Sequence, residues 1–221
     1  MQEIASGLRF PEGPIAMPDG SVILVEIARG TLSRVTPKGT VEVIADLGGG
    51  PNGAAIGPDG AVYVCNNGGF DWAEHNGALH PGDIAADYSG GRIERVDLAT
   101  GKSDVLYTAC DGEPLRGPND IVFDKSGGFW FTDLGKGFDR LKDRGAVYYA
   151  KADGSFIEQM VFPIETPNGI GLSPQEDKVY VAETQGARLW GFELAGPGQI
   201  KGRAQTSQKT FIASPSGLNF F

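Results

Sequence analysis

Four oxygen-bearing side chains recur in one local setting. Glu12, Asn52, Asn119 and Asn168 each directly follow a proline, in PEGP, PNGA, PNDI and PNGI. One carboxylate and three neutral amides are hard donors, of the kind that hold Ca2+ through about 6–8 oxygens at about 2.3–2.6 Å. Zinc sites draw on His or Cys, and neither residue occurs at these positions. Read one at a time, each Asn is also a turn former whose amide can bond its own backbone. A shared cation site requires a fold that gathers four points scattered along the chain.

The surrounding sequence supplies such a fold. FPEGPIAMPDGSVILVE, GPNGAAIGPDGAVYVCN, GPNDIVFDKSGGFWFTD and TPNGIGLSPQEDKVYVAE share a plan: a proline, then Glu or Asn, a short apolar run, a turn, and a second apolar run. Asp19-Gly20, Asp59-Gly60 and Ser126-Gly127 provide turn residues that accept a left-handed backbone at low cost, so each segment is expected to form a hairpin. Two more strand-like pieces follow every hairpin: TLSRVT with TVEVIA, GRIERVDL with DVLYTA, GAVYYAK with FIEQMVF, and ARLWGFEL with KTFIAS. Pro11, Pro51, Pro118 and Pro167 lie 40, 67 and 49 residues apart, a spacing that suits four-stranded propeller blades. The long interval is explained by an insertion, residues 67–90, between the second and third strands of the second unit. A propeller sets the first strand of each blade innermost, so Glu12, Asn52, Asn119 and Asn168 should meet at one end of a central channel.

Composition agrees with an all-β chain and narrows its partners. Thirty-four glycines and 14 prolines are scattered between short apolar runs among 221 residues, as many strands joined by tight turns require. A net charge of −9 without clustered Lys or Arg argues against a nucleic-acid surface. No stretch of about 18 apolar residues exists for a membrane helix, and the N-terminus lacks a basic start followed by an apolar segment, so a cytoplasmic location is expected. Cys65 and Cys110 have no metal-ligand spacing and read as buried thiols.

PEGP in the first unit, GPND in the third and PNGIGLS in the fourth resemble the six-bladed propellers of the senescence-marker-protein, gluconolactonase and luciferin-regenerating-enzyme family, over about Phe10 to Ser214. The resemblance implies a divalent-metal lactonase whose metal is held by Glu12, Asn119 and Asn168, with Ca2+ first and Zn2+ or Mn2+ as alternatives. It also implies a fifth-blade Asp that is both ligand and general base. That Asp has no counterpart here: the matching register falls near Ser216, and the catalytic carboxylate is expected beyond residue 221. The chain is therefore expected to be one domain, 1–221, holding about four complete blades of six, with QEIAS near the N-terminus as a lone outer strand. Lactone or ester hydrolysis, impaired by the missing Asp, is the leading expectation. A calcium-binding or ligand-binding propeller without catalysis is the alternative.

Other residues carry weaker signals. Arg116 and Asn52 are candidate substrate contacts, and Asp120 could orient Asn119 or cap a turn. The insertion holds Trp72 and both histidines, His75 and His80, which lack a third ligand and are not read as a metal site. As a long loop on a scaffold it is a candidate lid. Trp130, Phe131 and Trp190 read as core between blades.

Overall fold

The computed structural model describes residues 2–138, 140–202 and 210–213. Alternating apolar runs and glycine turns produce strands throughout, with no helix among the described residues and hence none that could cross a membrane. Sheet 1 contains β1 (Pro11–Ala16), β2 (Val22–Glu26), β3 (Thr31–Val35) and β4 (Val41–Asp46). Sheet 2 begins with β5 (Pro51–Ile56) and β6 (Val62–Asn66). It is interrupted by a separate hairpin, β7 (Phe70–His75) and β8 (Ala78–Ile84), then completed by β9 (Arg92–Val96) and β10 (Ser103–Tyr107). A two-stranded ribbon, β11 (Ala109–Cys110) and β12 (Glu113–Pro114), leads to sheet 3. There β13 (Pro118–Phe123) and β14 (Gly128–Asp133) are followed by a ribbon, β15 (Gly137–Phe138) and β16 (Leu141–Lys142), before β17 (Gly145–Lys151) and β18 (Ile157–Ile164). Sheet 4 has β19 (Pro167–Leu172), β20 (Lys178–Glu183) and β21 (Arg188–Gly196), with β22 (Gln199–Ile200) and β23 (Thr210–Ala213) both paired to β21.

All pairings among the described residues are antiparallel, and the strand order runs outward from β1, β5, β13 and β19. These four first strands are neighbours in that sequence, β1 beside β5, β5 beside β13 and β13 beside β19. The core lies between the sheets. Ile23, Val25 and Leu32 meet Val62, Val64 and Val96 between sheets 1 and 2. Phe129 and Phe131 pack toward Tyr63 and Ile93 of sheet 2, while Trp130, on the opposite face of the same strand, packs toward Val179, Val181 and Phe192 of sheet 4. The two-residue period of β14 thus makes one strand the core of two interfaces. All three rings are fully buried, each contributing about 2–3 kcal/mol by removal from water. Trp190 is partly buried against the same cluster as Trp130. Cys65 and Cys110 are buried free thiols.

The N-terminal segment differs from expectation. Residues 2–8 form no strand, although they lie where one would be placed: the Ile4 carbonyl abuts Gly39 in the β3–β4 turn as the Ile44 carbonyl of β4 abuts Gly101 in the β9–β10 turn. An outer strand pairs with the third strand of its own sheet, as β4 does with β3; among the described residues the segment has no such partner and forms no ladder. The fifth-unit register near Ser216 lies outside the described residues.

Candidate functional site

Each first strand is built the same way at its start. Pro11, Pro51, Pro118 and Pro167 sit in register with the last residue of the neighbouring second strand: Glu26, Asn66, Asp133 and Glu183. Those four side chains reach back and accept backbone N–H groups that precede the prolines. Arg9 donates to Glu26 (2.8 Å), Gly50 to Asn66 (2.9 Å), Arg116 and Gly117 to Asp133 (2.8 and 2.7 Å), and Glu165 to Glu183 (2.8 Å). Proline has no N–H of its own to enter the ladder, and the N–H groups just ahead of it find their acceptors in these side chains. This clamp was visible in the sequence as the endings VILVE, VYVCN, FWFTD and VYVAE, but alternation alone gave these residues no role.

Immediately after the clamped proline every first strand breaks register. The irregularities fall between Glu12 and Ile15, Pro51 and Ala54, Pro118 and Ile121, and Pro167 and Ile170. A bulge re-aims the side chains within it, and these bulges contain Asn52, Asn119 and Asn168 and adjoin Glu12. They also let adjacent sheets touch backbone to backbone. A Cβ on Gly13 would lie 2.8 Å from the Asn52 carbonyl oxygen, and one on Gly53 would lie 2.5 Å from that of Asn119. Thr132 continues the series, accepting the Asp120 N–H (3.1 Å) and donating its hydroxyl to the Asn168 carbonyl (2.6 Å).

The four predicted residues therefore stand at adjoining strand starts on one end of the molecule. Asn52 and Asn119 are buried, Asn168 is half-buried and Glu12 is exposed. Glu12 nonetheless has a raised pKa, through partial desolvation of its carboxylate and the negative charge of Asp120, against an opposing hydrogen bond from the Gly13 N–H. Asp120 itself is raised by burial and held by the Ile170 and Ile121 N–H groups, at 3.0 and 2.9 Å. The Asp120 carboxylate of sheet 3 is thus among the charges that bear on Glu12 of sheet 1. Among the described residues no three His, Cys, Asp or Glu side chains gather as a metal cluster, so a cation here would need amide and carbonyl oxygens beside the Glu12 carboxylate. The donor set suits a hard divalent ion, which would neutralise the repulsion between Glu12 and Asp120.

Arg116 stands farther out. Its side chain is 47% exposed, with Nε 3.9 Å from Asp143. The insertion arises at the site end, because Asn66, from which it departs, pairs with Pro51 beside Asn52. Its hairpin reaches sheet 1, where Trp72 packs on Phe10 with ring centroids 5.0 Å apart. His75 and His80 have ring centroids 6.0 Å apart on this hairpin.

The family model described as the SMP-30/gluconolactonase/LRE-like region matches residues 10–215. The chain belongs to that family. A gluconolactonase of Zymomonas mobilis subsp. mobilis is 26% identical over 221 residues, which cover 90% of this chain and 56% of the relative. The lactonase drp35 of Staphylococcus saprophyticus is 30% identical over 181 residues, 81% of this chain and 49% of that protein. The chain thus spans about half the length of the curated relatives it matches. Among solved structures, XC5397 of Xanthomonas campestris, described as a gluconolactonase, superposes with a TM-score of 0.69 at 24% identity, over 89% of this chain and 62% of that one. Virginiamycin B lyase of Staphylococcus aureus superposes with a TM-score of 0.61 at 18% identity, over 96% and 58%. At such identities the superpositions speak for the fold, and the four sheets fit a propeller-like arrangement.

Proposed function

We propose that this protein is part of a divalent-metal lactonase. The reading is supported by the equivalent placement of Glu12, Asn119 and Asn168 at register breaks on a row of neighbouring first strands, in a chain whose relatives are named as gluconolactonase and lactonase. Glu12, Asn119 and Asn168 would hold the ion, with Ca2+ favoured by their all-oxygen chemistry. When bound, such an ion supplies Lewis-acid polarisation of an ester carbonyl.

The chain's own residues do the rest of the positioning. Asp120 ties sheet 3 to sheet 4 through the Ile170 N–H and so fixes the backbone that carries Asn119. Asn52 offers its amide to a substrate oxygen from the buried wall between Glu12 and Asn119, and Arg116 offers a cation at the rim. Asp120 and Asp133 both have their oxygens engaged by backbone N–H groups, and Glu12 is committed as a ligand. With those oxygens engaged by the backbone and Glu12 given to the ion, we assign the general-base task to none of the three.

The test is a Ca2+ titration read by thermal melting, with a lactone panel on the protein and on Glu12→Gln. A ligand that binds only the folded state must raise its stability, by about 2.7 kcal/mol at a hundredfold excess over Kd. A Ca2+-dependent rise in Tm that vanishes in Glu12→Gln supports the site. An identical response in both proteins refutes it, and a response without ring opening of any lactone leaves a calcium-binding propeller.

A further inference from the structure

Lys136 is a lysine without the surroundings lysines usually have. It lies between β14 and β15 and is only 1% exposed, and no carboxylate of the described residues is within ion-pair distance of its ammonium. Its Nζ instead donates to the Asn67 side-chain oxygen (3.0 Å) and the Gly69 carbonyl (2.8 Å), and stands 3.5 Å from the Phe70 ring centroid and 5.4 Å from that of Tyr88. Every one of these partners belongs to the insertion of sheet 2, whereas Lys136 belongs to sheet 3. Its backbone is fixed independently, by exchange of hydrogen bonds with Asp143.

The contact leads inward to the candidate site. Asn67, itself 1% exposed, accepts the Gly69 N–H (2.9 Å) with the oxygen that faces Lys136, and donates its own N–H to the Gly50 carbonyl (2.8 Å). The Gly50 N–H is held in turn by Asn66. Gly50 is thereby pinned on both its backbone groups, two residues before Asn52. Burying an ammonium is costly unless its donors are satisfied, and here one donor goes to Asn67, on a short path from sheet 3 to the start of β5, and another to Gly69 at the root of the hairpin.

We propose that Lys136 is a positioning residue that sets Asn52 beside Asn119, acting through Asn67 and Gly50 and docking the root of the β7–β8 hairpin at the same time. The proposal rests on the lactonase reading for its consequence in catalysis and on the hydrogen-bond path alone for its structural part. Because Asn52 is assigned to substrate and not to the ion, loosening the path weakens substrate binding and leaves the reacting centre intact.

The experiment compares Lys136→Met, Asn67→Ala, the double variant and Asn67→Asp, which keeps an acceptor facing the ammonium. KM and kcat are measured on a hydrolysed lactone at saturating Ca2+, and hydrogen exchange is followed over residues 50–54 and 67–70. Lys136→Met and Asn67→Ala are each expected to raise KM about tenfold, the worth of one charged hydrogen bond, with kcat within about twofold. The double variant should be no worse than either single one, since both break the same path, and Asn67→Asp should retain the native KM. An unchanged KM in Lys136→Met, or additive losses in the double variant, overturns the proposal. If the native protein opens no lactone, exchange decides the positioning role independently of the lactonase reading: faster exchange at both segments in Lys136→Met upholds the role, and unchanged exchange overturns it.

Discussion

Replacing Lys136 by Met should change how stability depends on pH. Burial lowers the pKa of Lys136 from 10.5 to about 7, against a partly compensating attraction from Asp133. The unfolded chain therefore holds this proton over a range in which the folded chain releases it. Stability must rise with pH across that window, at about 1.4 kcal/mol per unit. Below about pH 7 the lysine is charged in both states and its burial penalty is fully felt; above 10.5 the penalty is gone. The whole interval corresponds to at most about 5 kcal/mol, a ceiling that solvent relaxation reduces. Between pH 7 and 8.5 the native protein should gain about 2 kcal/mol relative to Lys136→Met, a difference from which the contributions of Cys65 and the tyrosines, common to both proteins, cancel. For a chain of this size that is about 4–8 °C in Tm. Loss of the bonds to Asn67 and Gly69 adds a pH-independent offset, so the slope and not the absolute difference is diagnostic. Urea unfolding of both proteins at several pH values gives the measurement. Parallel curves for the two proteins would show that Lys136 keeps an ordinary pKa and would refute the reasoning.

Other substitutions probe the site end. Asp133→Ala leaves the N–H groups of Arg116, Gly117 and Gly135 without their acceptor and should cost about 3–5 kcal/mol in urea unfolding, the range for breaking a buried network. Gly53→Ala would press a methyl against the Asn119 carbonyl and the Asp120 Cα, both 2.5 Å away. Since backbone atoms must then move, both unfolding stability and the Ca2+-induced rise in Tm should fall. Glu12 and Asp120 have raised pKa values, chiefly from desolvation. In the metal-free chain they contribute stability that is present below the ordinary carboxylate range and lost as pH rises through their raised values. Stabilisation by Ca2+ should accordingly be larger at pH 7.5 than at pH 5, as melting curves with and without the ion will show.

The sheets were legible because their signals are local. Alternation in VILVE or VYVAE and turn pairs such as Asp59-Gly60 operate within a few residues, and the repeat aligned them into sheets of matching order. The equivalent placement of Glu12 and Asn119 at strand starts was legible only through the repeat, since nothing near either residue names the other. The register breaks were not: PNGA and PNDI read as strand starts, and a bulge depends on which neighbour is opposite. Lys136 gave no signal either, sitting in LGKGFD with the appearance of a surface loop. Its burial is decided by a hairpin that belongs to a different sheet. QEIAS shows the limit of such likeness in a segment expected to be a lone outer strand without a sheet of its own. Its likeness to VEVIAD placed it correctly in space but could not supply the pairing that makes a strand.

The clamps formed by Glu26, Asn66, Asp133 and Glu183 each fasten a sheet to itself, over separations of only 16 to 18 residues. A duplicated or transposed unit would arrive carrying its own fastening and could seat beside any neighbour without a new anchor being invented. Such self-sufficiency makes the number of units free to change in evolution, while the residue one step past each proline stays available for whatever chemistry the assembled centre needs.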